Sequence, residues 1–134
     1  MDSNPVSRER YEELVTDERM PVKHRALWAL LWEGELRYQD ALSLDVRDVD
    51  LAAGTAWVEF PVRRDDGPLA APLSGRAVEL LREVIGDRRE GPVFLAEAGG
   101  ALSVDAAMEW ARSVGVGIHG FRIGGAFDRA GSGG

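Results

Sequence analysis

The run Ala26-Leu27-Trp28-Ala29-Leu30-Leu31-Trp32 is the longest uninterrupted apolar stretch of the chain. It falls far short of the roughly 20 residues needed to cross a bilayer. A stretch this apolar has no polar face to give to water, so it must form a buried helix around which the other elements pack. Pro21 suits the first turn of that helix, and Gly34 marks its end.

The composition supports one such core. The chain has 134 residues, 45% of them hydrophobic and 29% charged, which suits a single globular domain. The expected organisation is one domain over residues 1–130 and a flexible Gly/Ser tail over 131–134. There is no cysteine, which rules out disulfides, thiolate metal ligands and a cysteine nucleophile. Only two histidines occur, His24 and His119, so no multi-histidine metal site is expected. The N-terminus lacks the apolar stretch of a signal peptide. The expectation is a cytoplasmic protein with no membrane partner.

Element signals follow one another along the chain. Ser7 caps a helix over Arg8–Val15, with Glu9 in its first turn. A second amphipathic stretch runs from Arg37 to Leu44, with Ala41, Leu42 and Leu44 inward. Val46, Val49 and Leu51 read as a strand, Ala53-Gly54 as a turn, and Thr55–Val62 as a second strand. Asp65-Asp66-Gly67-Pro68 is a turn, and Leu69–Leu73 a return strand. Ser74 caps a helix through Ile85, and Ser103 caps another over Val104–Ser113. His119–Arg129 reads as a last helix, weakened by Gly124 and Gly125. The fold expected is α+β and mainly helical, with helices around a small three-stranded antiparallel sheet. Trp28, Trp32, Trp57 and Trp110 are expected in the core, and His24 at the surface between Lys23 and Arg25.

Several local strings, in order, resemble the catalytic domain of tyrosine recombinases (phage integrases). Gly34-Glu35-Leu36-Arg37-Tyr38-Gln39-Asp40-Ala41-Leu42-Ser43-Leu44 is similar to the box that carries the family's first arginine. Asp48-Val49-Asp50-Leu51 and Gly54-Thr55 match the strand and turn that follow it. Pro72-Leu73-Ser74 resembles the end of the sheet. Phe94, Gly99-Gly100 and Leu102-Ser103 resemble the loop before the next helix, and His119-Gly120-Phe121-Arg122 the H-x-x-R box. No single string is specific; their order and spacing are.

The resemblance implies an integrase-like domain linked to DNA recombination and integration. Its chemistry needs no metal and no cofactor: a tyrosine attacks the scissile phosphodiester, and arginines and a histidine stabilise charge on the phosphoryl oxygens. Carried over by position, Arg37, His119 and Arg122 are the implied catalytic residues. Arg63 and Arg64 join them as implied DNA-phosphate ligands. His119 and Arg122, at i and i+3 of a helix, share one face.

The departures are specific. Glu35 stands where the family has glycine. The hairpin reads Val62-Arg63-Arg64-Asp65-Asp66-Gly67, without the family's lysine. Ile123-Gly124-Gly125 replaces a hydroxyl-rich helix start. The two tyrosines, Tyr11 and Tyr38, do not occupy the nucleophile's place. The expectation is thus a truncated or degenerate domain that retains phosphate affinity and does not cut DNA alone.

Other readings stay open. Arg37 can pair with Asp40 as an ordinary helix-surface pair, His119 can serve as a cap, and Arg63-Arg64 can be a solvated hairpin tip. Lys and Arg total 16 against 23 Asp and Glu, a net charge of -7. That balance disfavours avid DNA binding and leaves room for an alternative, an integrase fold repurposed as an acidic protein-interaction or regulatory module. Self-association or a partner helix would use an apolar surface near Ile123 and Phe127, left uncovered by the family's missing C-terminal segment.

Overall fold

Serine caps start three of the helices. In this computed structural model, which describes residues 4–34, 36–62 and 67–132, Ser7 Oγ accepts from the amide of Arg10 at 3.1 Å and opens α1 (Arg8–Val15). Ser74 and Ser103 do the same for α4 (Gly75–Ile85) and α5 (Val104–Ser113), each also at 3.1 Å. Each hydroxyl satisfies an amide that has no partner inside its helix.

The apolar run forms the heart of α2 (Val22–Trp32), with every residue from Ala26 to Trp32 buried. Helices α1, α4 and α6 (Ile118–Ser132) pack on it, as does the short α3 (Tyr38–Leu42). After α3 come a 3-10 turn (Val46–Asp48) and the strands β1 (Val49–Asp50), β2 (Thr55–Val58) and β3 (Leu69–Pro72). They form an antiparallel sheet in the order β1-β2-β3, with Ala56 opposite Ala71 and Trp57 opposite Ala70. The fold is α+β and mainly helical, as expected. No helix among the described residues is long and apolar enough to cross a membrane.

The structure corrects several expectations. Helix α3 is shorter than the Arg37–Leu44 stretch, with Arg37 as its extended N-cap residue (φ -75, ψ 145). Val46 belongs to the 3-10 turn rather than a strand, because the Asp45 carboxylate accepts from the Arg47 amide and Asp48 caps the Asp45 amide in return. Strand β2 ends at Val58, and the chain then leaves the ladder so that the Val62 amide donates to buried Asp40 at 2.9 Å. Trp57 is 45% exposed; it points to the outer face of the sheet with Ala70, away from the face that holds Ala56 and Val58. Trp110 is half-buried. Of the expected turn Asp65-Asp66-Gly67-Pro68, the first two residues lie outside the described residues. Helix α6 continues through Gly131 to Ser132, so it enters the expected tail.

His24 also departs from expectation: it is fully buried. It lies three and four residues before Leu27 and Trp28, so the helix carries it to their inward face. There it stacks on Trp110 with ring centroids 4.7 Å apart. Its neighbours turn outward, Lys23 bonding the Leu95 carbonyl and Arg25 the Val15 carbonyl, both at 2.8 Å. Among the described residues neither ring nitrogen of His24 has a hydrogen-bond partner. Burial, reinforced by the Lys23 charge, lowers its pKa from 6.5 to about 4.

The glycines of α6 have a positive purpose. A strap of residues 4–6 crosses the helix so closely that the Val6 amide donates to the Gly120 carbonyl at 2.9 Å, while the Trp32 indole donates to the Val6 carbonyl at 3.2 Å. A methyl group on Gly124 would overlap the Val6 backbone, and one on Gly125 would overlap the Trp32 carbonyl. Backbone meets backbone on both sides of the helix, which no larger residue permits.

Two outcomes follow from this packing. Gly124→Ala should destabilise the fold by roughly 1–3 kcal/mol or more in denaturant unfolding, because the obstacle is backbone that cannot rotate away. Gly131→Ala, in open space on the same helix, should instead be neutral or gain up to about 1 kcal/mol. For His24, the folded pKa of about 4 lies below the ordinary 6.5, so the unfolded chain binds more protons between those values. Stability should therefore fall as pH drops through that window, by up to about 3 kcal/mol from this group. In His24→Phe the unfolding free energy should lose that part of its pH slope.

Candidate functional site

The bend at the start of α3 decides where the site forms. Arg37 is extended and Tyr38 is helical, so the two side chains leave the backbone at a corner, and both reach the same hollow. The opposite wall is the first two turns of α6, which contribute His119 and Arg122 from one helical face, as their spacing implies. Leu31 of α2 and Val62 close the remaining sides, giving a pocket of about 200 Å³. Val62 is held there by its bond to Asp40. That bond also removes the ordinary surface-pair reading of Arg37, since among the described residues the Asp40 carboxylate forms no ion pair with it.

Arg37, His119 and Arg122, expected from sequence as one constellation, thus line one pocket despite their separation along the chain. Arg63, Arg64 and Glu35 lie outside the described residues. His119 is exposed on its outer side and meets the Tyr38 ring edge-to-face, with centroids 5.1 Å apart and planes at 85°. Tyr38 and Gln39 line the pocket as well. Sequence reasoning gave neither a role there, although the position of Tyr38 directly after Arg37, at a helix start, was the available clue.

The charges lining this pocket differ from those of the larger open clefts. No carboxylate is among its described lining residues. A larger open cleft of about 550 Å³ beside α1 and α4 sets Arg25, Arg76 and Arg82 against Glu18, Glu79 and Glu83. Arg76 forks onto Glu12 with two bonds of 2.9 Å and also reaches Glu33 at 3.4 Å. Arg8 pairs with Asp128 at 2.8 Å, and Arg129 bonds the carbonyl of Trp32 at 2.9 Å. The hydroxyl of Tyr11 donates to Glu33, and its ring stacks on Trp32 at 4.5 Å. Burial, then the Glu33 carboxylate, push the Tyr11 pKa well above its ordinary value. Tyr11 is therefore fully enclosed structural material. The one lysine, Lys23, is committed to the Leu95 carbonyl.

Anion recognition is what such a pocket can do. Guanidinium groups present forked donors that match phosphate oxygens, and they keep their charge at any physiological pH. An imidazole adds a donor that can follow the charge of its ligand.

Comparison with known proteins gives the same fold. The XerA recombinase structure superposes with a TM-score of 0.81 at 17% identity, over 97% of this chain and 50% of that one. The Tn1549 transposon integrase in complex with circular intermediate DNA gives 0.80 at 13% identity, over 99% and 56%. The integrase from mycobacterium phage Brujita gives 0.77 at 19% identity, over 97% and 45%. The chain spans about half the length of these structures. No curated protein sequence matches it. The model described as "Phage integrase family" matches residues 7–115, a stretch that includes Arg37 and ends before His119. With that match over most of its length, the chain belongs to the phage integrase family.

Proposed function

We propose that this chain is the phosphate-gripping part of a DNA recombinase catalytic domain, and that Arg37, His119 and Arg122 together hold one phosphodiester of the DNA backbone. The observation that carries this reading is their convergence on a single pocket whose described lining has no carboxylate. The DNA-bound transposon integrase of the same fold supports DNA as the ligand class. Arg63 and Arg64, outside the described residues, are read as further phosphate ligands on the family resemblance of the sequence around them. The net charge of -7 repels the duplex as a whole, so binding is weak and salt-sensitive.

The chain does not cleave DNA by itself in this reading. Its two tyrosines are Tyr11 and Tyr38; the first is sealed against Trp32, and the second is packed edge-to-face with His119. An arginine in place of the hairpin lysine would hold its proton too tightly to serve as a general acid for the leaving oxygen.

A second reading has its own observation. Phe127 is 65% exposed on α6, one turn beyond Ile123, and an apolar strip of this kind suits self-association or a partner helix. Light scattering over a concentration series would support it if association appears and Phe127→Ser weakens it.

The primary reading is tested by titrating a short duplex and, separately, inorganic phosphate while following the His119 imidazole and arginine signals by NMR. Both should perturb His119. Arg37→Ala and Arg122→Ala should each weaken binding about tenfold or more, and raising salt from about 50 to 200 mM should cost a further tenfold or more. A suicide substrate should give no covalent adduct on denaturing gels. Submicromolar affinity at physiological salt that survives Arg37→Ala, or a tyrosine-linked product, would overturn the proposal.

A further inference from the structure

We propose that Tyr38 is a positioning residue of this pocket, whose ring holds the His119 imidazole in the orientation that meets a phosphate. The inference rests on the phosphate-binding reading above and names the residue that prepares the site for it.

His119 sits near the start of α6 with one side exposed. Among the described residues it makes no hydrogen bond, so no acceptor fixes the tilt of its ring. An imidazole free to turn must be ordered each time a ligand binds, and that ordering subtracts from affinity. The Tyr38 ring supplies the missing constraint. It meets His119 with planes at 85° and centroids 5.1 Å apart, which is the edge-to-face arrangement that aromatic quadrupoles favour. Tyr38 is itself fixed, because it is the first residue of α3 and packs partly against the core. It also follows Arg37 directly, so the corner that aims the first guanidinium aims the wall for the imidazole too. A shift of α3 would move both together, keeping their spacing. Among the described residues the Tyr38 hydroxyl has no hydrogen bond, so the ring is the active feature and phenylalanine should replace it.

The experiment compares wild type, Tyr38→Leu, Tyr38→Phe and Arg37→Ala in the full chain. One readout is the 13C relaxation order parameter of the His119 imidazole without ligand. The other is the inorganic phosphate affinity read from the same signals. Tyr38→Leu should lower the order parameter and weaken phosphate binding about three- to tenfold, with the thermal midpoint within a few degrees of wild type. Tyr38→Phe should restore both quantities. Wild-type order and affinity in Tyr38→Leu would overturn the proposal, as would a Tyr38→Phe protein as weak as Tyr38→Leu. If wild type and Arg37→Ala alike show no His119 response to phosphate, the phosphate-binding reading fails. The ligand-free order parameter then decides the ring-holding role alone, and an unchanged value in Tyr38→Leu sinks it.

Discussion

The closeness of α6 to its two neighbours is the constraint on which the rest of the structure depends. Gly124 touches the Val6 backbone and Gly125 the Trp32 carbonyl, so α6 is wedged between an N-terminal strap and the end of α2. Each glycine costs helix stability of about 1 kcal/mol relative to alanine. Two glycines in a row are tolerable only because the buried partners reward the approach. Were α6 a side chain's width further out, His119 and Arg122 would no longer face Arg37. The site's geometry is therefore set by residues that carry no functional group at all.

Charge placement adds a second layer. The surface is acidic overall, and several of its arginines are paired with carboxylates: Arg8 with Asp128, Arg19 with Asp17, Arg47 with Asp45 and Arg76 with Glu12. These exposed or half-exposed pairs contribute little stability each. Their larger effect is to set a carboxylate against each of these four guanidinium groups.

How much was legible in the sequence depends on the range of the interaction. Ser7, Ser74 and Ser103 act on amides three residues away, and all three helix starts follow from the sequence. The pairing of Arg37 with His119 and Arg122 was reached through family-like strings, since no local rule joins residues so far apart. Asp40 shows the limit: as a helix residue it looked like a partner for Arg37, but its carboxylate is taken by the Val62 amide, a bond made possible by strand β2 ending early. The charged neighbours of His24 suggest solvent, whereas helical rotation turns it inward with Trp28, and Trp110 of α5 meets it there. Trp57 was misplaced for the opposite reason: a large aromatic is usually interior, but nothing among the described residues covers the outer face of this small sheet.

The strap across α6 carries an implication for the order in which the molecule becomes competent. Val6 enters early in the chain and Gly120 late, yet they share a hydrogen bond. Loops that close over such separations form slowly and only when much of the intervening chain is already in place. Half of the anion pocket stands on the helix this strap clamps. A chain emerging during synthesis carries Arg37 well before the wall of the pocket that His119 and Arg122 supply. The pocket is thus complete only once α6 is in place, so a half-made copy lacks it outright instead of carrying a weaker form of it.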